Sequence, residues 1–189
     1  MARPKSEDKR NAILAAAIPV IAEQGVGAPT AKIAQLAGVA EGTLFTYFNT
    51  KDELLNQLYL DLKTELREAV SAGYPKDETL KSRVRHTWQA YVEWGMRSPQ
   101  KRKVLAQLSV SERISAETKA ATMRAFADIN AMVEVSAGDG ALRKLPPAFV
   151  SAILSSLAET TMEFMARDPR QAKRYLDSGF EAFWGAVAQ

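Results

Sequence analysis

The chain of 189 residues is 47% hydrophobic and 25% charged, a globular composition long enough for one or two domains with a sizeable core and not that of a disordered chain. It holds no cysteine, which excludes disulfides and thiolate chemistry, and no apolar run long enough to cross a bilayer. Net charge is +3, and residues 1–51 carry six basic against four acidic side chains, so most of a small excess lies near the start, compatible with phosphate contact.

Residues 1–5 are a short basic tail. The charged, then amphipathic stretch after it is no signal-peptide core; the absence of cysteine fits a cytoplasmic address, and no membrane partner is expected. Ser6, Lys9 and Arg10 open a first helix, with Ile13, Ala17, Val20 and Ile21 as its buried stripe. Pro19 lies inside it and predicts a kink or tightening over residues 15–19, because proline removes a backbone donor and crowds the preceding turn. Gly25-Val26-Gly27 ends that helix, and Pro29-Thr30 starts a second one. Thr30 is placed to cap it with its hydroxyl. Ile33, Ala34 and Ala37 give the second helix an apolar face, Gly38 suits a left-handed exit, and Val39 points back to a small core. Glu41 to Phe48 then predict a third helix with Leu44 and Phe48 on the buried side. Gly42, Thr43, Phe45, Thr46 and Tyr47 are left on its other faces. Two short helices about a glycine turn follow the plan of the helix-turn-helix, whose second helix enters the major groove.

The run from Gly25 to Leu55 closely resembles the DNA-binding region of the TetR family of transcriptional regulators. It holds Ile33-Ala34, Ala37-Gly38-Val39, Gly42-Thr43-Leu44, Tyr47-Phe48 and Lys51-Asp52-Glu53-Leu54 in order. The resemblance implies that Thr30, Gly42, Thr43, Phe45, Tyr47 and Lys51 lie against DNA and that the basic tail runs near its backbone. The side chains suit that role. Threonine hydroxyls bond phosphates or base edges, the bare Gly42 backbone permits close approach, and Phe45 offers an apolar contact to a thymine methyl. Tyr47 and Lys51 suit phosphate oxygens. Phe45 stands where tyrosine is common, and Ala40-Glu41 stands where serine followed by a small or basic residue is frequent. Glu41 repels phosphate, yet it can accept from a cytosine amino group or favour the helix start by its charge. The DNA-facing set is Thr30, Glu41, Gly42, Thr43, Phe45, Thr46, Tyr47 and Lys51.

A long fourth helix is expected from Lys51 to Val70, with Leu55, Leu58, Leu62, Leu66 and Ala69 recurring. A fifth spans Thr79 to Met96 with Leu80, Val84, Trp88, Tyr91 and Gly95 on one side, and a sixth spans Gln100 to Leu108. Its run Lys101, Arg102, Lys103 reads as a solvated face. A seventh is expected over about 116–135 with Met123, Phe126, Ile129 and Val133, followed by a Gly138-Asp139-Gly140 loop. Pro146-Pro147 opens an eighth helix, and Asp168-Pro169 caps and opens a ninth lined by Leu176, Phe180, Phe183 and Val187. No run alternates with period two, and no repeat is present.

The expectation is therefore an all-α, nine-helix chain in two domains. Residues 1–51 form the three-helix DNA-binding unit, and residues 52–189 form a ligand-sensing and dimerisation bundle. Specific reading needs two such units on a palindromic operator, hence a homodimer. Leu157, Thr161, Phe164, Phe180, Phe183 and Trp184 on the last two helices are candidates for its four-helix interface. The resemblance also implies a small-molecule effector. His86, Trp88, Tyr91, Trp94, Met123, Phe126 and Met162, with Met96 and Met132, supply the aromatic and methionine side chains that apolar pockets use. His86 is the only histidine, and Glu159 and Glu163 lack histidine companions, so neither a metal nor another cofactor is expected, and no enzyme. The reading is a DNA-binding regulator, in the first instance a ligand-released repressor; the alternative is an all-helical small-molecule carrier or interaction protein.

Overall fold

The computed structural model describes residues 6–129, 131 and 145–188. Among them every regular element is helical. The elements are α1 (Glu7–Gln24), α2 (Thr30–Leu36), α3 (Glu41–Tyr47), α4 (Lys51–Ser71), α5 (Leu80–Arg97), α6 (Pro99–Ser109), α7 (Ala116–Ala125), α8 (Pro147–Arg167), a 3-10 turn (Pro169–Gln171) and α9 (Ala172–Ala188). They fall into two compact units, Met1–Thr64 with Ser98–Thr122, and Glu65–Arg97 with Met123–Gln189. These boundaries follow packing and do not coincide with the functional division expected at residue 51.

In the first unit α1 packs on α2 and α6, and α2 packs on α3. Ile13, Ala17 and Ile21 on α1 and Ile33 on α2 are wholly buried. α1 runs without a break through Pro19. The carbonyl deprived of its donor belongs to Ala15, an exposed position where water can take the missing bond. Lys101 and Arg102 on α6 are half-buried, so only Lys103 of that basic run fits the expected solvated face.

In the second unit α5, α8 and α9 pack against one another around Val84, Trp88, Val92, Val150, Ala158, Met162, Phe180 and Phe183. Thr79 caps α5, its hydroxyl accepting from the Ser82 N–H at 3.2 Å. Trp88 donates from its indole to the Leu176 carbonyl at 3.1 Å and stacks on Phe183 with ring centroids 6.3 Å apart. Gly179 makes that approach possible. A Cβ there would lie 2.3 Å from Thr161 Oγ1 and 2.8 Å from the Trp88 ring.

Two helix boundaries differ from expectation by more than one residue. The seventh helix stops at Ala125, and Phe126 forms a turn before residues 127–129 become helical again. The turn closes by a Phe126 N–H bond to the Met123 carbonyl at 3.2 Å. Met132, Val133 and the Gly138-Asp139-Gly140 loop lie outside the described residues. Asp168-Pro169 opens the 3-10 turn and not the last helix itself, which begins at Ala172.

Candidate nucleic-acid interface

The turn between α2 and α3 is closed by backbone bonds. Gly38 takes φ +68°, a left-handed conformation that costs a side-chain-bearing residue about 1–2 kcal/mol. Its N–H bonds the Gln35 carbonyl at 3.2 Å, and the Val39 N–H reaches back to Ala34 at 3.0 Å. That double closure is a Schellman motif, and it satisfies two carbonyls the helix end leaves free. α3 follows after Ala40. Leu44 and Phe48 are buried at 0% and 2% exposure and hold α3 down. Glu41, Gly42, Phe45 and Thr46 are exposed, and Thr43 and Tyr47 half-buried. No atom comes within 4 Å of where a Cβ on Gly42 would sit, so the backbone there is open to a close partner. Thr46 donates its hydroxyl proton to the Gly42 carbonyl at 3.1 Å.

Thr30 does not cap α2. Pro29 holds the cap position, and Thr30 is already helical with its side chain turned away from the first-turn N–H groups. Its hydroxyl donates to Glu41 Oε1 at 2.6 Å, tying the start of α2 to the start of α3. Tyr47 is also engaged, its hydroxyl oxygen accepting the Ser6 N–H at 3.1 Å, which fixes the start of α1 beside the end of α3. Arg10 lies 5.6 Å from the centre of the Phe48 ring.

Lys51 stands at the first position of α4. Its ammonium donates to the Ala28 carbonyl at 2.6 Å and so fastens the loop between α1 and α2. Burial, chiefly, and the Arg113 guanidinium hold its pKa below the ordinary 10.5, with Asp52 pulling the other way. Arg113 itself pairs with Asp52 at 2.7 Å. Asn56 donates to the Arg113 carbonyl at 2.8 Å and accepts the Ser115 N–H at 2.9 Å, so the segment between α6 and α7 is fastened to the start of α4. The start of α4 is capped from the sequence Thr50-Lys51-Asp52-Glu53. Thr50 Oγ1 accepts the Glu53 N–H at 3.0 Å, and Glu53 Oε2 accepts the Asn49 N–H at 2.8 Å. Threonine followed three residues later by glutamate is a signal readable without coordinates.

The residues expected to line a pocket do not share one surface. Trp88 and Met162 are wholly buried in the α5–α8–α9 core. His86 Nε2 lies 3.0 Å from the Val70 carbonyl, an acceptor only, so Nε2 carries the proton; the ring meets Tyr74 edge-on. Trp94 donates to Glu65 at 3.1 Å and stacks on Tyr91. Met123 is 54% exposed, and Phe126 lies under the Arg67 guanidinium. Of the interface candidates, Phe180, Phe183 and Thr161 are buried in their own chain, because their side of each helix faces the core. Leu157 and Trp184 are half-buried, and Phe164 is exposed beside Tyr175. Glu159 accepts from Tyr91 at 3.5 Å, and Glu163 pairs with Arg167.

The match to known proteins falls on the unit just described. A sequence profile of bacterial regulatory proteins, tetR family, matches residues 13–58. The fatty acid metabolism regulator protein of Bacillus subtilis (strain 168) is 34% identical over 73 residues, a stretch that spans 38% of this chain and 38% of that protein. Over the whole fold, a structure from Shewanella sp. PV-4 described as a TetR family transcription regulator superposes with a TM-score of 0.83 at 28% identity, covering 96% of this chain and 98% of the other. The regulator FadR of Bacillus subtilis, in complex with stearoyl-CoA, shares the fold with a TM-score of 0.68 at 17% identity, over 94% of this chain and 99% of its own. With α2 and α3 as its helix-turn-helix, residues 13–58 match the DNA-binding region of the tetR family of bacterial regulatory proteins, and the whole chain has the fold of a TetR family transcription regulator.

Proposed function

We propose that the protein is a cytoplasmic repressor that binds a palindromic operator as a homodimer and is released by a small molecule. Residues 1–51 read the operator, and residues 52–189 sense the effector and dimerise. One observation carries the first part. The face of α3 that bears Gly42, Phe45 and Thr46 is exposed, while Leu44 and Phe48 bury the opposite side. A helix so presented after a tight turn has the form that enters a major groove. One helix reads only a few base pairs, so useful specificity calls for a second copy. The exposed ring of Phe164, with Leu157 and Trp184, supplies apolar surface on α8 and α9 for that contact.

A long-chain acyl-CoA is the first effector to test. The curated relative regulates fatty acid metabolism, and a regulator of the same fold holds stearoyl-CoA. The experiment is to retain duplexes from a random pool on the purified protein at moderate salt, sequence them, and then add stearoyl-CoA. A palindromic consensus, with elution by the acyl-CoA, supports the reading. A folded dimer that enriches no sequence overturns it; a consensus that stearoyl-CoA leaves bound removes this effector class.

A further inference from the structure

We propose that Glu41 is a base-reading residue that selects cytosine in each half-site, with Thr30 as the residue that positions it. The inference deepens the operator-reading function proposed above and rests on it. Between Thr30 and Tyr47 the only ionisable side chains of opposite sign are Lys32 and Glu41. Glu41 stands exposed at the start of the helix that would face DNA. A carboxylate beside a polyanion weakens binding to any duplex alike unless it meets a hydrogen-bond donor there.

The geometry separates this role from a local one. Ala40 holds the cap position of α3, and the hydrogen bond of the Glu41 side chain among the described residues goes to Thr30 rather than to a first-turn N–H. The Thr30 hydroxyl donates to Oε1 at 2.6 Å. One carboxylate oxygen is thus engaged by the protein and its direction set. Oε2 has no hydrogen bond among the described residues. A carboxylate only accepts. In the major groove two groups donate, the adenine N6 amino and the cytosine N4 amino. The adenine amino lies beside N7, a second acceptor that repels a carboxylate. The cytosine amino has no acceptor next to it on its own groove edge. Guanine N7 and O6 and thymine O4 offer acceptors alone. Cytosine is therefore the base that Glu41 tolerates best. The Thr30 bond keeps the carboxylate from turning to other partners before contact.

The test uses the same pool of random duplexes with the full-length wild type, Glu41→Gln and Thr30→Val. Both substitutions keep size and shape, Glu41 at an exposed position and Thr30 at a half-buried one. Wild type should return a consensus with one cytosine per half-site whose replacement by thymine lowers affinity about tenfold. Glu41→Gln should lose that preference, move toward adenine, whose N6 and N7 a glutamine amide can pair with, and bind non-specific duplex more tightly than wild type. Thr30→Val should flatten the preference at that same position and leave the rest of the consensus unchanged. A wild-type consensus that neither variant alters at any position overturns the role of Glu41 while leaving the regulator reading intact. Absence of any wild-type consensus overturns both.

Discussion

At the scale of single residues, several side chains suited to DNA are already engaged within the protein. Tyr47 accepts a backbone proton from Ser6, Thr30 holds Glu41, and Lys51 holds the Ala28 carbonyl. Each bond fixes a side chain in place and, through it, a neighbouring segment. Lys51 shows how the two roles separate by measurement. An ammonium has three donors, and one serves Ala28. Lys51→Met should weaken binding to all duplexes alike and flatten the salt dependence by about one unit per protomer, the signature of a lost phosphate contact. An unchanged slope with weaker binding would assign Lys51 to holding the loop between α1 and α2 alone. Its lowered pKa adds a second expectation. Between the folded value and the unfolded value near 10.5, the unfolded chain binds more protons than the folded one. The contribution of Lys51 to stability therefore rises with pH across that window. The stability difference between wild type and Lys51→Met should widen in favour of wild type as pH is raised toward 10.5, and a difference that stays constant or narrows would contradict it.

At the scale of elements, glycine marks where helices approach. A methyl on Gly179 meets Thr161 Oγ1 at 2.3 Å and the Trp88 ring at 2.8 Å, whereas a methyl on Gly185, later on α9, meets nothing within 4 Å. Gly179→Ala should lose about 1–3 kcal/mol to overpacking, and Gly185→Ala should gain about 0.5–1 kcal/mol from helix propensity. Urea denaturation of the pair reads both signs, and equal effects would deny the tight α8–α9 crossing. The helices themselves were largely legible in the sequence, because apolar side chains recur at helical spacing and Gly38, Thr79 and Pro146 mark ends. What spacing could not show is the partner of each group. The Thr30 hydroxyl had a plausible local use as a cap, and its actual acceptor lies eleven residues on. The bond from Lys51 spans twenty-three residues and depends on where the loop after α1 returns. Phe180 and Phe183 shared an apolar stripe with surface positions, and periodicity says that a face is buried without saying against what. Their burial against Trp88 and Met162 follows from the crossing at Gly179. The break after Ala125 had no proline or glycine to announce it.

At the scale of the whole molecule, regulation by an effector is a statement about two equilibria and not about one chain. Leu44 and Phe48 bury one side of α3 and leave a single short face, so under the proposed function affinity for an operator would grow through pairing of two copies. Phe164 is the position at which to separate pairing from folding, because it is 44% exposed and touches Tyr175, whereas Phe180 and Phe183 have no exposure at all. Phe164→Glu places a charge on the apolar surface proposed to be shared by two copies, at little cost to the single chain. It should sediment as a folded monomer with wild-type helicity and bind a full operator no more tightly than a half-site. A dimer of wild-type affinity would move the interface elsewhere. The same pairing makes the effector testable from the DNA side. If an acyl-CoA lowers operator affinity by some factor, operator must lower acyl-CoA affinity by that factor, since both ligands act on one set of conformations. Titrating stearoyl-CoA into the protein with and without a saturating operator duplex measures it. Equal acyl-CoA affinities in the two titrations would mean that the molecule binds without acting as the inducer.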